Sequence, residues 1–81
     1  MPEIREKIIG LIEEVVPTLT LVPEDDTRSL FEFGLDSLDH ATVLLQLEEE
    51  FGFRVPDEET ENLTTVKAIA DFVTRALDAA T

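Results

Sequence analysis

The stretch GLDSLDHATVLLQLEEEFG, residues 34–52, decides the fold of this chain. Asp36 and Ser37 are residue types that begin helices, and Gly52 is the type that most often follows a helix end. At about 100° per residue, the side chains between them divide into two nearly opposite faces. The face that we expect to be buried holds His40, Val43, Leu44, Leu47 and Phe51. The face that should meet solvent holds Leu38, Thr42, Leu45 and Glu49. The stretch therefore predicts one amphipathic helix with two leucines on its exposed side.

Two more amphipathic helices are predicted, one on either side of this stretch. The first ends before Pro17, and its expected core positions are Ile4, Ile8, Leu11, Ile12 and Val15. The last should begin at a cap supplied by Thr64 or Thr65. Its expected core positions are Val66, Ile69, Ala70, Val73 and Leu77.

The segments between these helices show no strand pattern. Residues 18–35 lose the helical period, which predicts a long loop with one helical turn near residues 29–32. Residues 56–59, Pro-Asp-Glu-Glu, predict the start of a short helix with Asp57 as its N-cap. We therefore predict an all-α fold over residues 1–81, a single domain. It is a small four-helix bundle of three longer helices and one short helix, with a long loop between helices 1 and 2.

Composition narrows the functions open to the chain. Its 81 residues carry 19 acids and 6 bases, a net charge of −13, which argues against binding to nucleic acid or to an anionic membrane surface. There is no cysteine and only one histidine, so thiol catalysis is excluded and no metal site is predicted. No secretory signal or membrane-length apolar run is visible. We expect a cytoplasmic monomer.

Size favours binding or carrying over catalysis. A chain of this length buries only about 60% of its unfolded surface, which leaves little room for both a core and a closed active site. Ser37 and His40 lie near Asp36 and Asp39, but the G-x-S-x-G turn of many hydrolases is absent. The acidic segments also lack the spacing of a calcium-binding EF-hand loop. We therefore predict that the protein is not an enzyme.

The negative charge is concentrated around one serine. Residues 36–61 hold nine acids and one base, Arg54. Such a run is either a solvated face or, beside Leu38 and Leu45, a contact surface for a partner with a basic patch. Ser37 either caps the helix or, if Asp36 takes that role, presents a free hydroxyl at the first helical turn. A phosphodiester on that hydroxyl would lie at the positive end of the helix dipole.

Four spaced motifs resemble those of acyl carrier proteins. Residues 34–39, Gly-Leu-Asp-Ser-Leu-Asp, closely resemble the family's D-S-L motif, and Leu-Glu-Glu-Glu-Phe at 47–51 follows at the expected distance. Val-Pro-Asp-Glu-Glu at 55–59 supports the likeness, and Leu-Thr-Thr-Val at 63–66 is similar to the start of the family's last helix. The resemblance extends from about residue 31 to residue 73. On these motifs the chain is identified as a member of that family.

The resemblance implies a carrier domain with 4′-phosphopantetheine attached to Ser37 through a phosphodiester. The thiol of that arm, which a phosphopantetheinyl transferase takes from coenzyme A, would hold the cargo as a thioester. Helix 2 and the acidic segment after it would dock on basic patches of acyl-loading, condensing and modifying enzymes. The matched docking positions are Asp36, Leu38, Asp39, Thr42, Leu45, Glu48, Glu49, Val55, Asp57 and Glu61.

Two residues beside the arm depart from carriers of fatty acid synthesis. Thr42 stands where those carriers commonly have an acid, and His40 where they commonly have a threonine. The helical period turns His40 inward, which makes it a candidate for lining a cargo pocket. We therefore expect polyketide-type biosynthesis over fatty acid biosynthesis. The alternatives are an aminoacyl or peptidyl carrier, and an acidic helical adaptor without a prosthetic group that grips its partner through Leu38 and Leu45.

Overall fold

Three α-helices carry the fold: α1 (Pro2–Val15), α2 (Ser37–Phe51) and α3 (Val66–Ala80). The computed structural model describes residues 2–21 and 23–80. Within these ranges the other regular structure is three short 3-10 turns, at Pro23–Asp25, Leu30–Phe33 and Asp57–Glu59. None of the helices described is long and apolar enough to span a bilayer. The prediction of an all-α fold is confirmed.

The predicted short fourth helix is a single 3-10 turn, Asp57–Glu59. Pro56 holds its N-cap position and no side chain caps it, so the prediction of Asp57 as the N-cap was wrong. Thr60 closes the turn, because its backbone N–H and its hydroxyl both donate to the Asp57 carbonyl oxygen, at 3.2 and 2.7 Å. Beyond Thr60 the chain continues as a hydrogen-bonded turn, in which the Asn62 and Leu63 N–H groups donate to the Glu59 carbonyl oxygen at 3.0 and 3.1 Å, and not as an α-helix. The described residues therefore form three α-helices, where the sequence predicted four helices.

The core consists of one face from each α-helix, together with Leu21, Leu30 and Leu35 of the connection between α1 and α2 and Leu63 before α3. The buried predicted positions are Ile4, Ile8, Ile12, His40, Val43, Leu44, Leu47, Val66, Ile69 and Val73. The partly buried predicted positions, which pack against the edge of this core, are Leu11, Val15, Phe51, Ala70 and Leu77. The helical periods thus identify the buried face of every α-helix.

Asp26 bonds the connection between α1 and α2 to both α1 and α3. Its carboxylate accepts two hydrogen bonds from the Arg5 guanidinium, at 2.6 and 2.7 Å, and these bonds raise the pKa of Arg5. Its carbonyl oxygen accepts the Lys67 N–H at 2.9 Å, at the start of α3. Farther along the connection, the Leu30 N–H donates to the Thr64 carbonyl oxygen at 2.7 Å. These bonds set the position from which the chain enters α2.

Candidate functional site

Gly34 and Asp36 set the position of Ser37 at the start of α2. Gly34 ends the Leu30–Phe33 turn in the left-handed conformation, at φ 99°, which glycine adopts without steric cost. Asp36 then caps α2, because its Oδ1 accepts the Asp39 N–H at 2.8 Å, while Asp39 Oδ2 accepts the Asp36 N–H at 3.5 Å. Ser37 is exposed, and its side chain takes no part in this capping box. Of the two alternatives for Ser37, the structure supports the hydroxyl that is free of capping.

The start of α2 suits a covalently attached phosphodiester. The Ser37 hydroxyl belongs to the first residue of a 15-residue helix, where unpaired backbone N–H groups and the helix dipole favour an anion. The carboxylates of Asp36 and Asp39 oppose an anion there, although the capping box already holds both of them. These opposing charges make the site a poor one for reversible phosphate binding. A covalent bond needs no such affinity, so the residues present fit an attached group.

His40 faces the interior one helical turn after Ser37. It is only 8% exposed, and its Nε2 lies 2.7 Å from the Leu63 carbonyl oxygen. Because a carbonyl oxygen can only accept, this ring nitrogen donates the hydrogen bond. Phe31 packs on the imidazole with the ring centroids 5.3 Å apart. The predicted inward orientation of His40 is confirmed, and its bond to Leu63 together with the capping role of Asp36 rules out a Ser-His-Asp triad.

A cavity of about 270 Å³ opens beside His40. It is lined by Phe31, His40, Thr60, Glu61 and Thr64. Sequence reasoning found His40 by its helical period, but it missed the other four as lining residues, because they lie outside the helices, where no period predicts direction. Its lining residues come from the connection before α2, from α2 itself and from the segment before α3.

A second cavity, of about 320 Å³, lies beyond the other end of α2. Its lining includes Arg54, Phe72 and Arg75. Ser37 and Phe51 are the first and last residues of α2, so at 1.5 Å per residue roughly 21 Å of helix separates the serine from that end. Although this cavity is the larger of the two, the other one is lined by His40, which follows Ser37 by three residues on α2.

Six of the ten predicted docking residues are exposed. Leu38 and Leu45 stand out, because their exposures of 74% and 56% are the highest of the large hydrophobic residues described. They are two helical turns apart and therefore share one side of α2. The exposed acids around them are Asp36, Glu49, Asp57 and Glu61. The result is an apolar strip with an acidic surround.

The other four predicted docking residues, Asp39, Thr42, Glu48 and Val55, are partly buried and have partners within the chain. Thr42 Oγ1 donates to the Leu38 carbonyl oxygen at 3.0 Å. Glu48 Oε2 accepts the Val55 N–H at 2.6 Å, which ties the segment after α2 back to the helix, and Asp39 belongs to the capping box. The structure therefore gives Glu48 a role in the fold that its acidic neighbour Glu49 does not share. Despite the density of acids, no group of three or more potential ligands within residues 2–21 and 23–80 is placed to hold a metal ion.

Comparison with known proteins gives two matches. The model of the family described as "Phosphopantetheine attachment site" matches residues 6–73. The chain is also 42% identical over 65 residues to the mitochondrial acyl carrier protein of Dictyostelium discoideum, an overlap that covers 78% of this chain and 52% of that protein. The chain thus spans about half the length of this curated relative.

The Dictyostelium relative overturns one prediction from the sequence. We expected a cytoplasmic protein because no targeting signal is visible, and that prediction is wrong, since a protein this similar is named as mitochondrial. The physical reason is that the expectation rested on two absences, of a visible secretory signal and of a membrane-length apolar run, and neither specifies a compartment. These absences therefore carry no information about location.

Proposed function

Because the chain belongs to the acyl carrier protein family, whose members are carriers with a covalently bound phosphopantetheine and not enzymes, we propose that Ser37 holds this group. The observation that carries the proposal is the start of α2, where Asp36 caps the helix and Ser37 is left exposed. Its position inside residues 34–39, the motif that resembles the family's D-S-L, supports the same residue. A covalent arm also favours the carrier over the adaptor without a prosthetic group.

The attachment step requires only the Ser37 hydroxyl from this chain. Its oxygen forms the new bond to phosphorus, the phosphorus–oxygen bond to adenosine 3′,5′-bisphosphate in coenzyme A breaks and releases that nucleotide, and a base of the transferase accepts the hydroxyl proton. A phosphopantetheinyl transferase performs this transfer. Once bound, the arm supplies the thiol that holds an acyl group as a thioester. The side chains of the carrier then position the arm and present the acyl group.

Partner enzymes are recognised by the exposed side of α2. Leu38 and Leu45 provide an apolar strip of about two helical turns, and the acids around it attract a basic surface. Acyl-loading, condensing and modifying enzymes are the partners that this surface fits. Glu49 contributes its charge to this surface, whereas Glu48 is bonded within the chain.

The cargo belongs to polyketide-type biosynthesis rather than to fatty acid synthesis. Thr42 supports this, because its hydroxyl donates back into the helix and leaves the middle of the docking side without a charge. His40 supports it too, because it brings polar atoms to the cavity next to the arm. An intact mass of the protein from its native host, before and after thioester cleavage, identifies the cargo. A plain saturated acyl chain as the main species would refute this assignment.

A substitution at Ser37 tests the attachment. With coenzyme A and a phosphopantetheinyl transferase, the wild type should gain the mass of one arm and Ser37→Ala should gain none. Ser29→Ala is the matched control, because Ser29 is the only other serine of the chain, and this variant should be modified like the wild type. Modification of Ser37→Ala, or refusal of the wild type by several transferases of broad specificity, would refute the proposal. Circular dichroism should show an unchanged helical signal, since Asp36 keeps the cap.

A further inference from the structure

The two arginines of the cavity beyond the end of α2 differ from the other bases of the chain. Four of the six bases lie 2.6–3.9 Å from an acid, namely Arg5, Lys7, Arg28 and Lys67. Arg54 and Arg75 are the two bases for which residues 2–21 and 23–80 supply no ion pair. Both line this cavity, although one precedes the Asp57–Glu59 turn and the other lies on α3. The fold therefore brings two positive charges without acidic partners to one place on an acidic chain.

Asp71 and Glu59 do not compensate these two charges. Asp71 accepts a hydrogen bond from Arg75 Nε at 3.3 Å through its carbonyl oxygen, while its carboxylate accepts one from Lys67 Nζ at 2.9 Å. Glu59 lines the same cavity, yet it forms no ion pair with any base of the described residues. Two arginines and one glutamate thus give the lining a net charge of +1.

The remaining lining residues are apolar, namely Pro56, Phe72 and Ala76. The Phe72 ring packs edge to face on Phe53, with the centroids 5.6 Å apart, and Phe53 stacks on Phe51 at 6.1 Å. Phe72 is therefore held by its neighbours and offers a fixed apolar wall. The volume of about 320 Å³ corresponds to about ten groups of the size of water, at ~30 Å³ each. The complementary ligand is small and joins an apolar body to a negatively charged group.

We infer that this cavity binds a small organic acid, in which one carboxylate is attached to an apolar body of about the size of a phenyl ring. A guanidinium is planar and donates in a fork that matches the two oxygens of a carboxylate. Arg54 and Arg75 are both exposed, so their long side chains can turn toward the carboxylate while its body covers Phe72. A phosphate ester can carry two negative charges, and Glu59 repels it more strongly than a carboxylate. Ser37 is at the opposite end of α2, so the inference does not depend on the group proposed there.

Titration of the isotope-labelled full chain with phenylacetate, followed by nuclear magnetic resonance at constant ionic strength, tests this inference. The amide resonances of Arg54, Phe72 and Arg75 should shift saturably, with a Kd in the millimolar range that is usual for so small a ligand. Phenylacetamide has the same apolar body without the charge, and acetate has the charge without the body, so each should bind at least several-fold more weakly. Equal binding of either compound, or the absence of saturable shifts with phenylacetate, would overturn the inference.

Substitution of each arginine tests the position of the carboxylate. Arg54→Gln and Arg75→Gln should each weaken phenylacetate binding about two- to fivefold, as expected for the loss of one exposed ion pair. Arg28→Gln is the matched control, because Arg28 has acidic partners and does not line the cavity, and it should leave the Kd unchanged. An equal loss in all three variants would show that net charge controls binding, and the assignment to this cavity would be wrong.

A change at Glu59 should improve binding, which damage to the fold would not do. Glu59→Gln removes the one negative charge of the lining and should lower the Kd for phenylacetate roughly twofold, because an exposed charge at this distance has a small effect. Glu58→Gln makes the same chemical change at an exposed neighbour outside the lining, and it should leave the Kd unchanged. A higher Kd in Glu59→Gln, or an equal improvement in Glu58→Gln, would contradict the inference.

Discussion

Glu48→Ala should destabilise the fold, and the same change at Glu49 should not. The Glu48 carboxylate accepts the Val55 N–H at 2.6 Å, a hydrogen bond to a charged group for which about 1.5–3 kcal/mol is typical. Both acids lie in the last turns of α2, where the helix dipole disfavours negative charge by about 0.3–1 kcal/mol each. Removing either acid relieves that repulsion, but only the change at Glu48 also leaves the Val55 N–H without its partner.

The difference between the two variants isolates the hydrogen bond. We expect Glu48→Ala to lose about 1–2 kcal/mol of unfolding free energy, which lowers Tm by about 4–16 °C in a domain of this size. Glu49→Ala should stay within about 0.5 kcal/mol of the wild type. Glu48→Gln should lie between them, since its neutral amide oxygen can still accept. Urea titration followed by circular dichroism measures all three, and equal loss in both alanine variants would refute the reasoning.

Two further predictions concern the docking side and the start of α3. Leu45→Ala should slow turnover by a partner enzyme without changing the helical signal. The partner's affinity should fall as salt rises, because exposed charges are screened within about 8 Å at physiological ionic strength. Charge reversal at Glu14 on α1 is the control, and an equal effect there would show that net charge alone governs recognition. Thr65→Ala should cost ~1 kcal/mol in thermal unfolding, because its Oγ1 accepts the Ala68 N–H at 3.0 Å, whereas Thr64→Ala should cost less than about half of that.

Glu48 also shows why an effect on docking has to be separated from an effect on the stability of the fold. Position in the motif places Glu48 and Glu49 together, since both match acids of the family's docking helix. Only the three-dimensional path of residues 52–55 brings the Val55 N–H to one of them and not to the other. A charge reversal at Glu48 would therefore reduce partner turnover by loosening the fold. Glu49, which is exposed, reports docking without that complication.

The helical period of the sequence predicted those features that depend only on the direction of side chains along one helix. The buried side of α2, the exposed Leu38 and Leu45, and the inward His40 all follow from about 100° per residue. The capping role of Asp36 was one of two alternatives, because aspartate and serine are both favoured N-caps. The chain path before the helix decided between them, since Asp36 has the extended backbone of an N-cap, with φ −98°.

Bonds between distant segments could not be predicted in this way. The two bonds from Arg5 to Asp26 join residues 21 apart in sequence, and the bond from His40 to the Leu63 carbonyl oxygen joins residues 23 apart. No local pattern encodes such a pair, because either side chain would be equally acceptable in solvent. The 3-10 geometry of residues 57–59 was not predicted for a related reason. Acids after a proline fit the first turn of any helix, so they do not distinguish the 3-10 turn that Thr60 caps from the start of an α-helix.

The first turn of α2 places Ser37 between two surfaces with different tasks. At about 100° per residue, Leu38 on the docking side is about 100° from Ser37 in one direction, and His40 beside the cavity is about 60° away in the other. A group attached to Ser37 can therefore reach either side by rotation of its own bonds, with no change in the helix. With the arm on Ser37 as proposed, one side offers the cavity beside His40, and the other offers the strip of Leu38 and Leu45 for an enzyme. The order of residues 37–40 is therefore compatible with both tasks for one serine.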